Sequence, residues 1–276
     1  MGRPPGVKLP ALEYHLLTVH RPGRLGHRDD PRMVQGFRPM VPHRKPPPFK
    51  TYPGLPAEAV PASLDDLFFL SAGVVRVKDH PTFGRLFFRA AGSAGNLSPI
   101  EVYALHDGRV LHYEPVEHAV TAIGEAEAGP TTVVLTGVPW RTGWKYAERG
   151  FRHLYWDAGT MLSHLLAAAA GTARLQLGFV DADVGAVVGA DGVAEFPVAV
   201  VVLGEGQPPL SPVRGSSPSR GFLGQHPLEF PVITAAQRAG DLSDSAEVEA
   251  WGAAGAPGSE GPLGPGPARS EGPLGP

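Results

Sequence analysis

Apolar and polar positions follow recognisable periods between residues 62 and 204, and lose them on either side. ASLDDLFFLSAGV (62–74) has helical spacing, with Ser63 placed as N-cap, Asp65 and Asp66 in the first turn and Gly73 at the end. IEVYALHDG (100–108) and RVLHYEPVEHAVTAI (109–123) alternate about Asp107-Gly108, the pattern of a β-hairpin. TTVVLTGVP (131–139) reads as a buried strand. From about residue 150 to 170 a helix is predicted: Met161, Leu162, Leu165, Leu166 and Ala169 share one face, and Gly171 falls at the C′ position. LQLGFVDADVGAVVG (175–189) predicts a strand and then a short helix capped by Asp181. FPVAVVVLG (196–204) is continuously apolar and therefore a central strand.

The flanks differ in kind. Residues 1–60 are rich in Pro, His and Arg, and RPMVPHRKPPPFKTYPGLP (38–56) cannot be helical, because its prolines fix φ and remove donors. They predict an extended arm anchored by Tyr14, Phe37, Phe49 and Tyr52. Beyond 204, residues 206–225 read as a polar loop and 226–242 as one more short element. SEGPLGP occurs at 259–265 and again at 270–276, in a Gly/Pro run with nothing to bury. The expected division is an arm at 1–60, a folded lobe at 61–250 and a disordered tail at 251–276.

Composition narrows the function classes. With 276 residues and 42% apolar content the chain can bury a real core. A net charge of −3 argues against a general nucleic-acid binder. The absence of cysteine excludes disulfides, thiolate zinc sites and thiol nucleophiles. MGRPPGVKLP lacks the apolar centre of a signal peptide, and the apolar run at 165–170 is too short to span a bilayer. A cytoplasmic protein with no membrane partner is the expectation. The Ala, Gly, Pro, Val and Arg bias is that of a GC-rich bacterial genome, which is association rather than physics.

Two stretches carry candidate chemistry. RAAGSAGNLSPIEVY (89–103) is a small-residue loop in which Ser93 and Ser98 offer hydroxyls and Asn96 a donor and an acceptor. Such a loop suits the edge of a planar heterocycle, although many Gly/Ser loops only turn a corner. WKYAERGFRHLYWDAGTMLSHLLAAAAG (144–171) brings Lys145, Arg149 and Arg152 to one stripe if helical, beside Tyr146, whose hydroxyl pKa neighbouring cations would lower. A solvated basic face with interfacial aromatics is the other reading. His153 and His164 lack a third ligand at metal spacing, so no metal is expected.

Together these segments resemble the nitroreductase superfamily, in its SagB/ThcOx-type dehydrogenase branch. Ser93, Asn96 and Pro99 match the loop spacing S-x-x-N-x-x-P, and Arg89 with 93–95 looks like the branch's R-x-x-x-S-A-G. VLHYEPVEHAV (110–120), WKYAERGFRHLYWDAGTML (144–162) and GFVDADVGAVVG (178–189) are similar to further branch motifs, and the likeness covers roughly 14–250. It implies an α+β fold, a mostly antiparallel sheet flanked by helices, with FMN at an interface between two such lobes. It further implies hydride transfer through flavin N5, in this branch oxidation of azolines to azoles on a peptide. Arg89, Ser93, Asn96, Gly178 and Phe179 would line the cofactor, and Lys145 with Tyr146 would be catalytic. The branch's paired arginines for the flavin phosphate have no counterpart, since no Arg-Arg pair occurs; Arg44, Lys45 and Lys50 in the arm are the substitutes at hand. HPLEFPVITAAQRAGDLSDSAEVEAW (226–251) resembles the bridge to a second lobe, so pairing with such a lobe or a homodimer is expected. The alternative is a non-catalytic lobe that holds a peptide or partner enzyme, with flavin chemistry in a second half.

Overall fold

The computed structural model describes residues 10–19, 45–171 and 173–254. The expected anchor Phe37, Arg44 and the repetitive tail beyond 254 lie outside them.

The hairpin forms as its turn dictates. Asp107 and Gly108 both take positive φ, 49° and 73°, which lets a two-residue turn follow the twist of its strands. They join β4 (Ile100–His106) to β5 (Arg109–Glu114), with His106 opposite Arg109. The stretch expected as one strand at 109–123 is two, because Pro115 cannot donate to a ladder and the chain turns there into β6 (Ala119–Glu125). β7 (Thr132–Gly137) pairs on the other side of β4, and β9 (Phe196–Leu203) beside β7. Short β1 (Ala57–Ala59) and β8 (Ala173–Gln176) close the edges. The order is β1-β6-β5-β4-β7-β9-β8, every neighbouring pair antiparallel. A separate hairpin joins β2 (Val74–His80) to β3 (Gly84–Arg89).

Helices cover both faces of the sheet, which explains the unbroken apolar runs in β7 and β9. On one face Val102, Ala104, Val133, Leu135 and Val201 meet α2 (Asp65–Ala72) and α4 (Gly150–Ala168). Alternate residues of the same strands, Tyr103, Leu105, Val134, Val200 and Val202, pack on the other face with α5 (Asp181–Val188). The architecture is α+β, an antiparallel sheet between helical layers. No helix among the described residues is long and apolar enough to cross a membrane.

Helix starts depart from the expected caps. Leu64, not Ser63, precedes α2, and Val180 precedes α5, so that Asp181 is its first residue and accepts from the Leu242 N–H at 2.8 Å. α6 (Pro231–Arg238) is the short element expected in 226–242, and α7 (Ser245–Ala253) follows it.

The largest difference lies between β7 and α4. Pro139, in the first turn, opens a further helix, α3 (Pro139–Tyr146). Ala147 then reverses the chain at φ 46° and ψ −138°. Gly150 lets α3 and α4 meet backbone to backbone, since a Cβ there would lie 2.6 Å from the Gly143 nitrogen. Lys145 therefore shares no helix with Arg149 and Arg152, and the expected stripe is broken. Those arginines instead hold α1 (Pro10–Thr18): Arg149 Nη1 donates to the Thr18 carbonyl at 2.6 Å and Arg152 Nε to its hydroxyl at 3.0 Å.

The arm at 45–52 is fixed by buried charge. Lys50 Nζ meets Glu195 at 2.6 Å, with Tyr103 and Thr136 hydroxyls also donating to Glu195. Glu101 accepts from the Lys50 N–H at 2.7 Å and pairs with Arg141, whose Nε donates to the Pro47 carbonyl at 3.0 Å. Burial alone raises the Glu101 carboxyl, but Arg141 beside it, with His112 and Arg89, holds it well below the usual carboxylate range. For Lys50, burial favours the neutral amine, and Glu195 outweighs it, leaving the ammonium firmly charged.

Candidate functional site

The small-residue loop is gripped from two helices. Asp157 of α4 accepts from the Ser93 hydroxyl at 2.6 Å and the Ala94 N–H at 2.9 Å, and Ser93 Oγ in turn accepts from the Ser98 N–H. Arg141 of α3, wholly buried, donates through Nη1 to the Ser98 carbonyl at 2.8 Å. Between these anchors Gly95, Asn96 and Ser98 all have positive φ, at 63°, 55° and 49°. Asn96, Ser98 and, at the end of α3, Ala147 are thus three non-glycine residues with positive φ, each costing roughly 1–3 kcal/mol. Such strain persists only where the surroundings dictate it.

The loop and the Lys145-Tyr146 pair meet. A Cβ on Gly95 would lie 2.9 Å from both Lys145 Nζ and the Tyr146 hydroxyl, so loop backbone abuts the two functional groups directly. The Tyr146 ring stacks on His153 at 4.0 Å between centroids, and Trp156 stands edge-on to His153. Burial and then the Asp157 charge raise the Tyr146 pKa, against the lowering expected from its cationic neighbours. The cations do act on His153: burial, Arg149 and Lys145 push it down to about 4. The site thus holds a neutral phenol, a neutral imidazole and an ammonium.

Beside the loop opens a cavity of about 800 Å³. Asn96 lines it, opposite Trp140 of α3, Phe87 of β3, Phe222 and the proline run at 46–48. Lys45 also lines it, and burial with the charge of Lys145 lowers the Lys45 pKa. Of the arm residues that could hold a phosphate, Lys50 is committed to Glu195, and Lys45 faces this space.

Other expected site residues sit elsewhere. Arg89 is buried and spends its guanidinium on the Ala72 and Ile100 carbonyls, tying α2 to the start of β4. Gly178 packs under Trp251 of α7, and Phe179 lines a smaller cavity of about 350 Å³ with Tyr155, Asp181 and Gln237, which shares no lining residue with the first. The structure therefore joins Ser93, Asn96, Lys145 and Tyr146, and sets Arg89, Gly178 and Phe179 apart. Asp157 and His153 belong to the site but were not singled out for it from sequence. Asp157 lies eleven residues after Tyr146, and no periodicity announces that the two share a space.

The chain matches a structure from Anabaena variabilis described as a nitroreductase, with a TM-score of 0.65, 23% identity and coverage of 86% of this chain. The fold is nitroreductase-like. The match extends over 55% of the Anabaena protein, so this chain spans about half its length. Weaker matches are the Escherichia coli microcin synthetase McbBCD complex (TM-score 0.45, 18% identity, 75% of this chain and 85% of that one) and a Ralstonia eutropha protein described as a nitroreductase (0.44, 18%, 69% and 89%). No family model matches the sequence, and no curated protein does. Within the nitroreductase-like fold, the Gly95 turn and the α3 terminus occupy one end of the sheet, at the start of β4 and the end of β7.

Proposed function

We propose that this chain is one lobe of an FMN-dependent oxidoreductase of the nitroreductase superfamily, of the SagB/ThcOx type, whose site is completed by a second copy or a second lobe. The observation that carries the reading is the contact of the Gly95 turn with Lys145 and Tyr146 beside a cavity large enough for a flavin. The donor set fits. The Asn96 side-chain amide, which lines the cavity, makes no hydrogen bond among the described residues, and Lys45 in the same lining offers a charge for the phosphate. Bound FMN supplies hydride exchange at N5. The protein then has to orient the ring, exclude water and handle the accompanying proton. Tyr146, kept protonated, donates that proton from its hydroxyl when a small organic substrate is reduced. In the opposite direction, azoline oxidation on a peptide, Tyr146 would enter as the phenolate, stabilised by the Lys145 ammonium beside it, and would accept the substrate proton as hydride leaves for the flavin. Asp157 acts as a positioning residue by holding Ser93 and Ala94.

An absorbance spectrum with and without added FMN tests this: the protein should be yellow or take up FMN. Tyr146→Phe should keep the flavin and lose about 10²- to 10⁴-fold in turnover. Colourless protein that binds no FMN would sink the reading. A second reading, a non-catalytic lobe that binds a peptide or partner, is favoured by the internal commitment of Ser93 and Arg89 and by Trp251 over Gly178. It expects peptide capture that is indifferent to Lys145→Ala with Tyr146→Phe.

A further inference from the structure

Lys45 of the arm lines the cavity together with Asn96, Lys145 at the end of α3 lies against the adjoining Gly95, and both lysines are half-buried. Among the described residues no carboxylate lies within ion-pair distance of either ammonium. Asp157, the acid nearest in role, faces Ser93 and Ala94 instead. His153, close enough to feel Lys145, is neutral at ordinary pH. Two like charges partly out of solvent, with no counter-ion among the described residues, are costly, and Arg141 fixes the segments that carry them by tying Pro47 and Ser98 to α3.

The adjoining cavity carries the same sign. Its charged or titratable lining residues are Lys45, Arg85 and His226, with no Asp or Glu among them. Arg85 meets Asp79 at 3.4 Å, with both side chains exposed to solvent. Much of the remaining wall is apolar and rich in rings, with prolines 46–48, Phe87, Trp140 and Phe222 in it. A ligand suited to this space has planar apolar surface and one oxyanion.

We propose that Lys45, Lys145 and the Asn96 amide form an oxyanion-binding site that receives the phosphate or carboxylate of a flat aromatic ligand whose rings lie in the cavity of about 800 Å³. This site stands on its own geometry: a flavin phosphate there would withdraw the proton-handling role of Tyr146, which lies against the same turn as Lys145, whereas a substrate carboxylate would leave that role in place.

Calorimetric titration of the full chain tests it with two matched pairs, FMN against riboflavin and 4-nitrobenzoate against 4-nitrobenzamide. In at least one pair the charged member should bind at least tenfold tighter. That preference should shrink in Lys45→Gln and in Lys145→Gln, persist in the surface control Lys78→Gln, and weaken with added salt. A preference in the first pair assigns the oxyanion to the flavin phosphate, and in the second to a substrate carboxylate. Equal binding within both pairs overturns the proposal, while uptake of both flavins alike leaves the flavin reading standing. A carboxylate preference without any flavin binding sustains the oxyanion site and removes the flavin. A charged-ligand preference untouched by both lysine substitutions, or by salt in the unaltered protein, also overturns it.

Discussion

Gly95 bears on the site more directly than any side chain its loop presents. It combines a positive φ with the absence of the one carbon that would strike Lys145 and Tyr146. Gly95→Ala should therefore leave the thermal midpoint within a few degrees, since a single left-handed alanine costs about 1–2 kcal/mol. It should cut turnover or ligand affinity at least tenfold, because the pair has to move. Equal activity in the two proteins would show that the contact plays no part in function. The residue scale also explains what sequence could and could not tell. The small residues at 91–95 and the Lys-Tyr dipeptide are visible in one dimension. That Ala147 would turn the chain, lift Lys145 away from Arg149 and leave Tyr146 under burial rather than under cations is not, because it depends on α3 packing against α4 through Gly150.

At the scale of elements, strands were legible wherever one period governed them. The Asp107-Gly108 hairpin and the apolar runs of β7 and β9 follow from alternation and turn chemistry alone. α3 was hidden because PWRTGWKY is short and carries a glycine within it, and Pro139, which suits a helix start, equally suits the end of the strand predicted at 131–139. The docking of the C-terminal segment was equally silent. There Asp181 accepts the Leu242 N–H, and burial, helped by the charge of Asp241, raises its pKa to about 6. A carboxyl whose folded pKa exceeds its unfolded value favours the fold most below the unfolded value, and that contribution is lost as pH rises through about 6. Asp181→Asn, which can still accept the hydrogen bond, should accordingly be more stable than the parent at pH 7.5, with the gap closing by pH 4.5. Thermal melts of both proteins at the two pH values check the sign; a gap that widens on acidification contradicts it.

For the whole molecule, the arm and the sheet form one electrostatic unit. Lys50 and Glu195 are both almost wholly inaccessible, so removing either charge strands the other. Lys50→Met should destabilise the protein by about 3–5 kcal/mol, the usual loss when a buried pair is halved, whereas Lys50→Met with Glu195→Leu should recover much of it. Denaturant unfolding of the two variants separates a needed charge pair from mere lost packing. None of this network could be read from the sequence: Lys50, Glu101, Arg141 and Glu195 are scattered singly, and only the closed sheet brings them together.

Lys50 precedes Glu195 by 145 positions. A ribosome adding about 5–20 residues per second therefore exposes this ammonium for roughly 7–30 seconds before its carboxylate is made. During that interval the nascent strands β4 to β7 can pair, but the arm has no counter-charge at Glu195 to settle on. The arm thus gains its buried counter-charge late, after its contacts with Glu101 and Arg141 have been made. The cavity it walls is complete only once the lining residues at 222–228, beyond the final strand, exist.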